Sequence, residues 1–197
     1  MFTGIINSIG TIRKIKKKGD KIFFIETNFK FSDLKVGSSI SCSGVCLTIA
    51  QKGKKENSRW FRISASKETL SKSNIKYWKE GTMINLEKSL KIGDELSGHL
   101  VFGHVDGLSK VLSVKKVGDS LSLVCELLPF LNNYVVNKGS ISLNGVSLTI
   151  NKVNKEDFKV NIVNHTKKHT TFKDIKIGDL LNVEIDMLAR YVHESLR

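Results

Sequence analysis

Residues 41–49 read S-C-S-G-V-C-L-T-I, and residues 142–150 read S-L-N-G-V-S-L-T-I. Each copy places a turn dipeptide, Ser43-Gly44 or Asn144-Gly145, between two short runs in which polar and apolar residues alternate. Such a dipeptide between alternating runs is typical of a tight β-hairpin. The sequence therefore predicts two matching hairpins and, around them, two similar pockets that serve one task.

Other segments repeat in the same order. Residues 101–105, V-F-G-H-V, correspond to residues 2–6, F-T-G-I-I, and Lys138-Gly139 corresponds to Val36-Gly37. The copies lie roughly 100 residues apart, which indicates a duplication, because the repeats of solenoid proteins are shorter. The two halves are therefore expected to share one fold.

Each half contains about six short β-rich runs, and neither shows a long helical period. Such runs with Gly-containing turns favour a small closed or nearly closed barrel, because closure removes exposed strand edges. The predicted fold class is all-β, with two similar six-stranded barrels followed by a C-terminal α-helix. We place the N-terminal barrel at residues 1–97, the C-terminal barrel at 98–187 and the helix at 188–197.

Two connections and the final helix carry more specific expectations. Residues 29–34 predict a short helical or irregular crossover, and residues 53–58 predict a polar loop between two strands. In the last segment, Leu188, Tyr191 and Val192 fall near helical spacing and give the helix an apolar face. That face either packs on its own barrel or contacts another subunit, and the sequence favours neither.

The composition is that of a globular protein of 197 residues, 40% of them hydrophobic. No stretch approaches the roughly 20 apolar residues of a membrane span, and the first residues lack a secretory signal, so we expect a cytoplasmic protein. Cys42, Cys46 and Cys125 show no C-x-x-C spacing, which argues against a disulfide framework and against a zinc site.

The net charge of +13 would suit a protein that binds nucleic acid, because clustered cations release counterions from phosphates. Here the charge is mostly lysine, scattered in short groups at expected turns. A strand face for single-stranded nucleic acid would interleave aromatic residues with Lys or Arg, and the sequence shows only scattered Phe. We therefore expect neither a nucleic-acid partner nor a membrane partner.

The opening M-F-T-G-I-I, the G-H-L-V-F-G-H-V-D-G of residues 98–107, and the paired G-V-C-L-T and G-V-S-L-T segments together resemble riboflavin synthases of the α-chain type. The resemblance covers essentially the whole chain, including the duplication. It implies two lumazine-binding Greek-key barrels, a C-terminal helix that joins subunits in a homotrimer, and a reaction that needs no cofactor or metal. It also suggests an association with lumazine synthase.

In the reaction that this resemblance implies, two molecules of 6,7-dimethyl-8-ribityllumazine exchange a four-carbon unit. The products are riboflavin, whose biosynthesis this step completes, and 5-amino-6-(D-ribitylamino)uracil. Two matched pockets that face each other would hold both substrates at little further entropic cost. One molecule must donate carbon and the other accept it, so the pockets have to differ chemically. Which pocket holds the donor stays open, and the resemblance favours a reactive site between chains over one within a chain.

Four residues are candidates for catalytic roles. His104 is the first candidate for proton transfer, because a free imidazole has a pKa of about 6.5 and proton transfer works best near the working pH. Cys46 and Ser147 lie just after the hairpin turns, where a thiol can act as nucleophile or proton carrier and a serine can orient a ring atom or a water. Whether either forms a covalent adduct stays open. Phe2 is expected to stack on or cover the paired substrates. Without the resemblance, the histidine and the cysteine would both be interpreted as structural.

The other substrate-binding candidates follow from the resemblance. Backbone groups of residues 4–6 and 103–105 are expected to hold the heterocycle, whose rim alternates donors and acceptors. Thr48 and Thr149 should face the same side as Cys46 and Ser147. His99 is expected to shape the linker beside His104. The full set is Gly4, Ile5, Ile6, Ser39, Leu47, Thr48, Ser64, Ala65, Ser66, Lys67, Glu68, Thr69, His99, Gly103, Val105, Lys138, Leu148, Thr149, Asn161, Ile162, Val163, Asn164, His165, Thr166 and Asp186.

Three positions depart from the family pattern, of which Ser43, where Asn is usual, still suits a turn. Phe102 replaces a small or polar residue, and Asn164 stands where Pro is usual, so we expect the rim of the second pocket to be reshaped. The main rival interpretation is a non-catalytic carrier of lumazine or flavin built on the same barrels, which needs only one good pocket. Retention of Cys46, His104 and Ser147 favours the enzyme.

Overall fold

The N-terminal half is a curled antiparallel sheet of seven strands. The computed structural model describes residues 1–55 and 58–196, apart from the side chain of residue 18. Hydrogen bonds order the strands β4-β3-β7-β1-β2-β6-β5, and the end strands β4 and β5 are neighbours in the chain, so the sheet curls back on itself. The elements are β1 (Ser8–Lys18), β2 (Asp20–Thr27), β3 (Ser39–Cys42), β4 (Val45–Thr48), β5 (Gln51–Lys55), β6 (Ser58–Ala65), α1 (Lys67–Lys72) and β7 (Met83–Lys88).

The C-terminal half is a closed barrel of six strands. Its strand order is β10-β11-β12-β9-β8-β13, and β9 pairs with β12 while β10 pairs with β13, as in a Greek key. The elements are β8 (Gly107–Val117), β9 (Ser120–Glu126), β10 (Ser140–Leu143), β11 (Val146–Val153), β12 (Asp157–Ile162), α2 (Asn164–His169) and β13 (Leu180–Ile185). The expected duplicated all-β fold is confirmed, and a short 3-10 turn, Phe31–Asp33, occupies the first crossover.

The seventh strand of the N-terminal half results from one interruption. In the C-terminal half β11 runs unbroken, whereas Ile49 and Ala50 divide the equivalent segment into β4 and β5. The pairing of β11 with β12 also shifts register between Ile150 and Lys152, so both halves are irregular at the same place. Such an irregularity bends a strand and helps a small sheet to curl.

The prediction of a polar loop at residues 53–58 is wrong for most of this range. Residues 53–55 belong to β5 and residue 58 begins β6, while residues 56 and 57 lie outside the described part of the chain. The lysines there sit on an exposed hairpin, where polar side chains point to water and the backbone still pairs. Gly53 allows the Trp60 ring to lie over β5, because a Cβ at this position would come within 2.3 Å of the indole.

Alternate residues of the strands fill the interior of the curled sheet and that of the closed barrel. In β2, Phe23 and Ile25 are fully buried, while Phe24 between them lies on the outer face. This period of two is expected of strands with one face in the core. The two halves have separate hydrophobic cores.

Aromatic and cationic side chains share the outer face of β1, β2 and β6. The rings of Phe24 and Trp60 lie 5.5 Å apart, and Nζ of Lys16 lies 5.8 Å from the centre of the Phe24 ring. Arg62 and Lys14 line two shallow cavities on either side of Phe24. The expectation that the aromatic residues are merely scattered is therefore wrong for this face.

One turn differs from the sequence alignment by one residue. Gly37 has a φ of +87° and donates its N–H to the Ile49 carbonyl, while Lys138 has a φ of +67° and donates its N–H to the Ile150 carbonyl. Lys138, and not Gly139, therefore corresponds to Gly37. A lysine with a positive φ is uncommon because its Cβ crowds the backbone. The alignment of Gly139 with Gly37 was therefore wrong.

The two repeated hairpins meet tip to tip. Gly44 and Gly145 have φ values of +81° and +79°. A Cβ on Gly44 would lie 2.6 Å from the nitrogen of Gly145, and a Cβ on Gly145 would lie 2.7 Å from the nitrogen of Gly44. Both the backbone conformation and the close approach therefore require glycine at these positions.

Two buried asparagines join the halves beside these tips. Asn85 of β7 donates from Nδ2 to the Asn144 carbonyl at 3.0 Å, and Asn182 of β13 donates from Nδ2 to the Ser43 carbonyl at 2.7 Å. The Oδ1 atom of each accepts a backbone N–H from the opposite half. Because both ends of each amide are used across the boundary, this network fixes the orientation of the halves.

The C-terminal helix α3 (Met187–Ser195) lies outside both barrels. Its first turn is capped by Asp186, whose Oδ1 accepts the N–H of Leu188 at 3.0 Å, and Arg190 forms an ion pair with Asp106. Leu188, Tyr191 and Val192 remain 62%, 68% and 60% exposed, so the predicted apolar face is uncovered in the single chain. Within the described ranges, α3 and the other helices are all too short or too polar to cross a membrane.

The contact between the hairpin tips can be tested with a matched pair of glycine substitutions. We expect Gly44→Ala to lower the free energy of unfolding by about 3 kcal/mol, because it adds overpacking against Gly145 to the strain of a positive φ. Gly81→Ala, at a φ of +88° with no atom near its Cβ, should cost only about 1 kcal/mol. Urea unfolding of both variants measures the difference, and equal losses would contradict the importance of the contact.

Candidate functional site

The first segment, residues 2–6, and the second segment, residues 101–105, begin the two halves and exchange places. Phe2 pairs with Val101 in an antiparallel bridge, with N···O distances of 2.7 and 3.0 Å. Beyond the bridge, the Gly4 carbonyl accepts the N–H of Ser147 at 2.8 Å. The Gly103 carbonyl accepts the N–H of Cys46 at 2.9 Å. The first segment thus docks on the C-terminal half and the second segment docks on the N-terminal half.

Packing agrees with this exchange. Ile6 packs against the core of the C-terminal half, and Val105 packs against the core of the N-terminal half. Gly4 and Gly103 both have a φ of +77°, and a Cβ on either would lie 2.6 Å from the Cβ of the residue that it contacts. The glycines therefore let the backbone approach the two mismatched hairpin residues closely, and each pocket is built from both halves.

The Cys46 pocket is a cavity of about 290 Å³, close to the lower limit for small-molecule sites. Strand alternation in β4 sends Leu47 into the core and leaves Cys46 and Thr48 on the open side. Helix α1 closes another side, and its start is fixed by Ser66, whose hydroxyl accepts the N–H of Thr69 at 3.2 Å. The lining residues are Val45, Cys46, Glu68, Thr69, Lys72, Ser73, Gly103, His104 and Val105.

At the second pocket, a buried histidine contacts the serine. Nδ1 of the His99 ring lies 2.7 Å from Oγ of Ser147. The backbone N–H of His99 donates to the Thr3 carbonyl at 3.2 Å. Burial lowers the pKa of the His99 imidazole, and the nearby Asp186 carboxylate opposes this effect. A neutral imidazole that carries its proton on Nε2 can accept the hydroxyl proton of Ser147 at Nδ1. Nε2 has no hydrogen-bond partner in the described part of the chain.

The two histidines of the 98–107 segment thus serve different pockets. The sequence suggested that His99 shapes the linker beside His104, but His99 is held at the Thr3 carbonyl while Gly103 carries His104 into the other half. His104 therefore lies on the Cys46 side. An imidazole is therefore present on each side, His104 beside Cys46 and His99 beside Ser147.

Two buried glutamates hold the exchanged segments from behind. Glu87 of β7 accepts the Thr3 N–H at 2.7 Å, the Thr3 hydroxyl at 2.8 Å and the Gly4 N–H at 3.0 Å. Glu184 of β13 accepts the Phe102 N–H at 2.7 Å and the Gly103 N–H at 2.9 Å. Burial raises the pKa of both carboxyls, that of Glu184 to about 7. Sequence reasoning missed both residues, although a glutamate at the same place in two apolar strands was a usable signal.

The structure brings part of the predicted set together at the Cys46 pocket. The predicted residues that line it are Cys46, Glu68, Thr69, Gly103, His104 and Val105. Around Ser147 it places Gly4 and His99. Thr149 lies on the same open side of β11. The repeat aligns α2 with α1, so Asn164, His165 and Thr166 are expected beside Ser147 as Glu68 and Thr69 lie beside Cys46.

Some of the other predicted residues have buried side chains. Phe2 is fully buried at the bridge, so its ring does not cover an open site. Four more side chains lie in the cores and could meet a ligand only through their backbone atoms: Leu47, Ala65, Leu148 and Ile162. Those with exposed or partly exposed side chains are Ile5, Ile6, Ser64, Ser66, Lys67, Asn161 and Val163.

Three further residues of the predicted substrate-binding set, Ser39, Lys138 and Asp186, lie apart from one another. Ser39 lines a separate cavity of about 220 Å³ beside Ser89. Lys138 is exposed at its left-handed turn. Asp186 caps α3 and acts electrostatically on His99, so it is the one of the three that is linked to a described pocket.

The departures from the family pattern at Phe102 and Asn164 affect different pockets. Because residues 101–105 enter the N-terminal half, Phe102 belongs with the Cys46 pocket, where its ring centre lies 6.1 Å from that of His104. The expectation that it reshapes the second pocket was therefore wrong. Asn164 begins α2, which has no side-chain cap of the kind that Ser66 gives α1.

Thiol reactivity provides a direct test of this geometry. Burial raises the pKa of the Cys42 thiol, and it raises that of Cys125 to about 12, so both should stay protonated and unreactive. Cys46 is partly exposed and should react alone with an aromatic disulfide reagent, at one thiol per native chain. Cys46→Ala should abolish this reaction and Cys125→Ala should leave it unchanged. A second fast thiol in the native protein would contradict the placement.

Comparison with known proteins matches both halves of the chain. The family model described as the lumazine binding domain matches residues 3–89 and again residues 102–186. The riboflavin synthase of Brucella abortus is 44% identical over 193 residues, which cover 97% of this chain and 96% of that protein. Those of Photobacterium phosphoreum and Bacillus subtilis are 37% and 32% identical, cover all of this chain, and are themselves covered to 89% and 90%.

Solved structures support the same fold. The crystal structure of LumP complexed with riboflavin has a TM-score of 0.80 at 22% identity. That of LumP complexed with 6,7-dimethyl-8-(1'-D-ribityl) lumazine has a TM-score of 0.78 at 21% identity. Both matches cover 94% of this chain and 99% of the other. The two domain matches and the full-length sequence identities place this chain in the riboflavin synthase family, as a tandem of two lumazine-binding domains.

Proposed function

We propose that the protein is a riboflavin synthase. It converts two molecules of 6,7-dimethyl-8-ribityllumazine into riboflavin and 5-amino-6-(D-ribitylamino)uracil by transfer of a four-carbon unit. The observation that carries the proposal is that the same contact with an exchanged segment is made at two hairpins whose reactive groups differ: the Gly103 carbonyl meets Cys46, and the Gly4 carbonyl meets Ser147. One presents Cys46 with His104, and the other presents Ser147 with His99. Matched contacts suit two copies of one substrate, and unequal chemistry suits a donor and an acceptor.

His104 and Cys46 are proposed to act on the substrate that loses a proton. The reaction begins with removal of a proton from the C7 methyl group, and the lumazine ring delocalises the resulting charge. His104 lies on the exchanged segment beside Cys46, so imidazole and thiol reach the same bound ring. General acid–base catalysis by a positioned side chain contributes roughly 100-fold to 10,000-fold in rate.

Ser147 and His99 are proposed to act on the second substrate. Since His99 can accept the hydroxyl proton of Ser147, the serine oxygen is a stronger nucleophile or hydrogen-bond acceptor than an isolated serine. It can therefore add to the ring or hold a water against it. Ring edges would be held by the backbone of residues 4–6 and 103–105, and by the hydroxyls of Thr48 and Thr149.

The reactive pair of pockets is proposed to form between chains of a homotrimer. Gly4 and Gly103 follow the two members of an antiparallel bridge, so the exchanged segments leave it in opposite directions. The uncovered apolar face of α3 offers a contact for another subunit. We further propose units at residues 1–97, 98–187 and 188–197, a cytoplasmic location and an association with lumazine synthase.

Turnover distinguishes the enzyme from a lumazine carrier. The purified protein, given the lumazine alone, should form riboflavin, followed by its absorbance. His104→Gln and Cys46→Ala should each lower kcat by about 100-fold and change lumazine affinity much less. Cys125→Ala, a matched thiol change in the other core, should leave kcat within about two-fold of the wild-type value. Binding of one lumazine per chain without riboflavin formation would reject the proposal.

A second candidate function, binding of single-stranded nucleic acid, is favoured by one observation. The outer face of β1, β2 and β6 combines the Phe24 and Trp60 rings with Lys14, Lys16 and Arg62, the arrangement on which bases stack and phosphates bind. It ranks below the first candidate because it uses neither repeated hairpin.

Fluorescence anisotropy of a labelled oligothymidylate tests the second candidate. Binding should weaken by at least about ten-fold between 50 and 200 mM salt, because phosphate contacts release counterions. At the same salt concentration, Trp60→Ala should bind the oligothymidylate more weakly than the wild type. Phe130→Ala, which removes an exposed ring from the other half, should bind as the wild type does. Failure to bind at low salt excludes this function and leaves the first proposal untouched.

A further inference from the structure

The peptide that lies on Cys46 is held from both sides. On one side, the Gly103 carbonyl accepts the N–H of Cys46 at 2.9 Å. On the other side, the Gly103 N–H and the Phe102 N–H donate to the two carboxylate oxygens of Glu184. His104 is the next residue of the same segment. The position of both reactive groups of this pocket therefore depends on a carboxylate in the opposite half.

We infer that Glu184 is a positioning residue for the Cys46 pocket, and that its ionisation tightens the segment that carries His104. A carboxylate accepts two N–H groups well, because hydrogen bonds to a charged acceptor are shorter and stronger than neutral ones. In a protonated carboxyl, one oxygen carries a proton and the other is uncharged, so the group accepts the two N–H groups less strongly. The role in turnover rests on the proposed riboflavin synthase activity.

The second pocket has the same device in a less pH-sensitive form. Glu87 binds the equivalent segment through two N–H groups and, in addition, through the hydroxyl of Thr3. The repeat aligns Thr3 with Phe102, which has no hydroxyl to offer Glu184. The departure of Phe102 from the family pattern thus removes one donor from the carboxylate on the Cys46 side only.

The surroundings of Glu184 contain little other charge. Its pKa is raised to about 7 first by burial and further by the Asp106 carboxylate, which itself pairs with Arg190 of α3. On the adjacent strands, β10 places Ser142 opposite Glu184, and β8 begins with uncharged Gly107. The charge state of Glu184 therefore changes within the neutral range, where the pocket has to work.

Ionisation of Glu184 tightens the segment at the Cys46 pocket but lowers the free energy of unfolding. A carboxyl whose pKa is higher in the folded state binds more protons there than in the unfolded chain. Stability therefore falls as pH rises from the ordinary value of 4.5 to about 7. The carboxylate that holds the Cys46 segment is thus retained against a cost in folding free energy, as expected of a group kept for function.

The pH profile of kcat/KM for lumazine tests the inference. In the wild type, kcat/KM should fall as pH decreases through about 7. Phe102→Thr supplies the hydroxyl that Thr3 gives Glu87, and it should move this limb about one unit lower by favouring the carboxylate. Glu184→Gln, which cannot ionise, should remove the Glu184 contribution to this limb and lower kcat about ten-fold at pH 8. Thr3→Val, the matched change at the other glutamate, should leave the Glu184 limb in place.

Amide hydrogen exchange of residues 100–105 gives a second readout that requires no activity. After correction for the intrinsic rate, protection should be greater at pH 8 than at pH 6 in the wild type and should not vary with pH in Glu184→Gln. If the wild type makes no riboflavin, the proposed function fails and exchange alone decides the inference. An acid limb unchanged in Glu184→Gln, or protection independent of pH in the wild type, overturns it.

Discussion

The backbone of Gly44 lies against the backbone of Gly145, and this contact leaves no room for a side chain on either residue. It brings the tips of β3–β4 and β10–β11 together, so the two halves meet where their sequences are most alike. The amides of Asn85 and Asn182 then cross the boundary on either side. Only with the tips at this distance can each opening segment reach the strand that follows the other tip.

Much of the fold follows from the sequence because its signals are local. A turn dipeptide between alternating runs specifies a hairpin wherever it occurs, and two copies of it specify two hairpins. The division of β4 from β5 did not follow, since it depends on how tightly the sheet curls around Ile49 and Ala50. The left-handed Lys138 was missed for a related reason, because glycine beside it gave the more conventional alignment.

The candidate site was less predictable, because a repeat reports similarity and not connectivity. The motifs around Cys46, Ser147 and His104 could be recognised, yet nothing in their spacing says that residues 101–105 enter the N-terminal half. The assignment of Phe102 to the Cys46 pocket depends on that exchange. The buried carboxylates of Glu87 and Glu184 were overlooked because most of their partners are backbone groups, although the two glutamates occupy the same place in the repeat.

Exchange of the opening segments has a consequence for how such a chain could arise. A single repeat that lends its first residues to a neighbour is incomplete alone and forms a symmetric, segment-swapped dimer. In that dimer both pockets are encoded by one gene and must remain identical. Fusion of two copies into one chain preserves the swap and releases this restriction, so that one pocket can keep a thiol while the other keeps a hydroxyl. Covalent linkage, more than any new contact, is what lets two like binding sites become unlike partners.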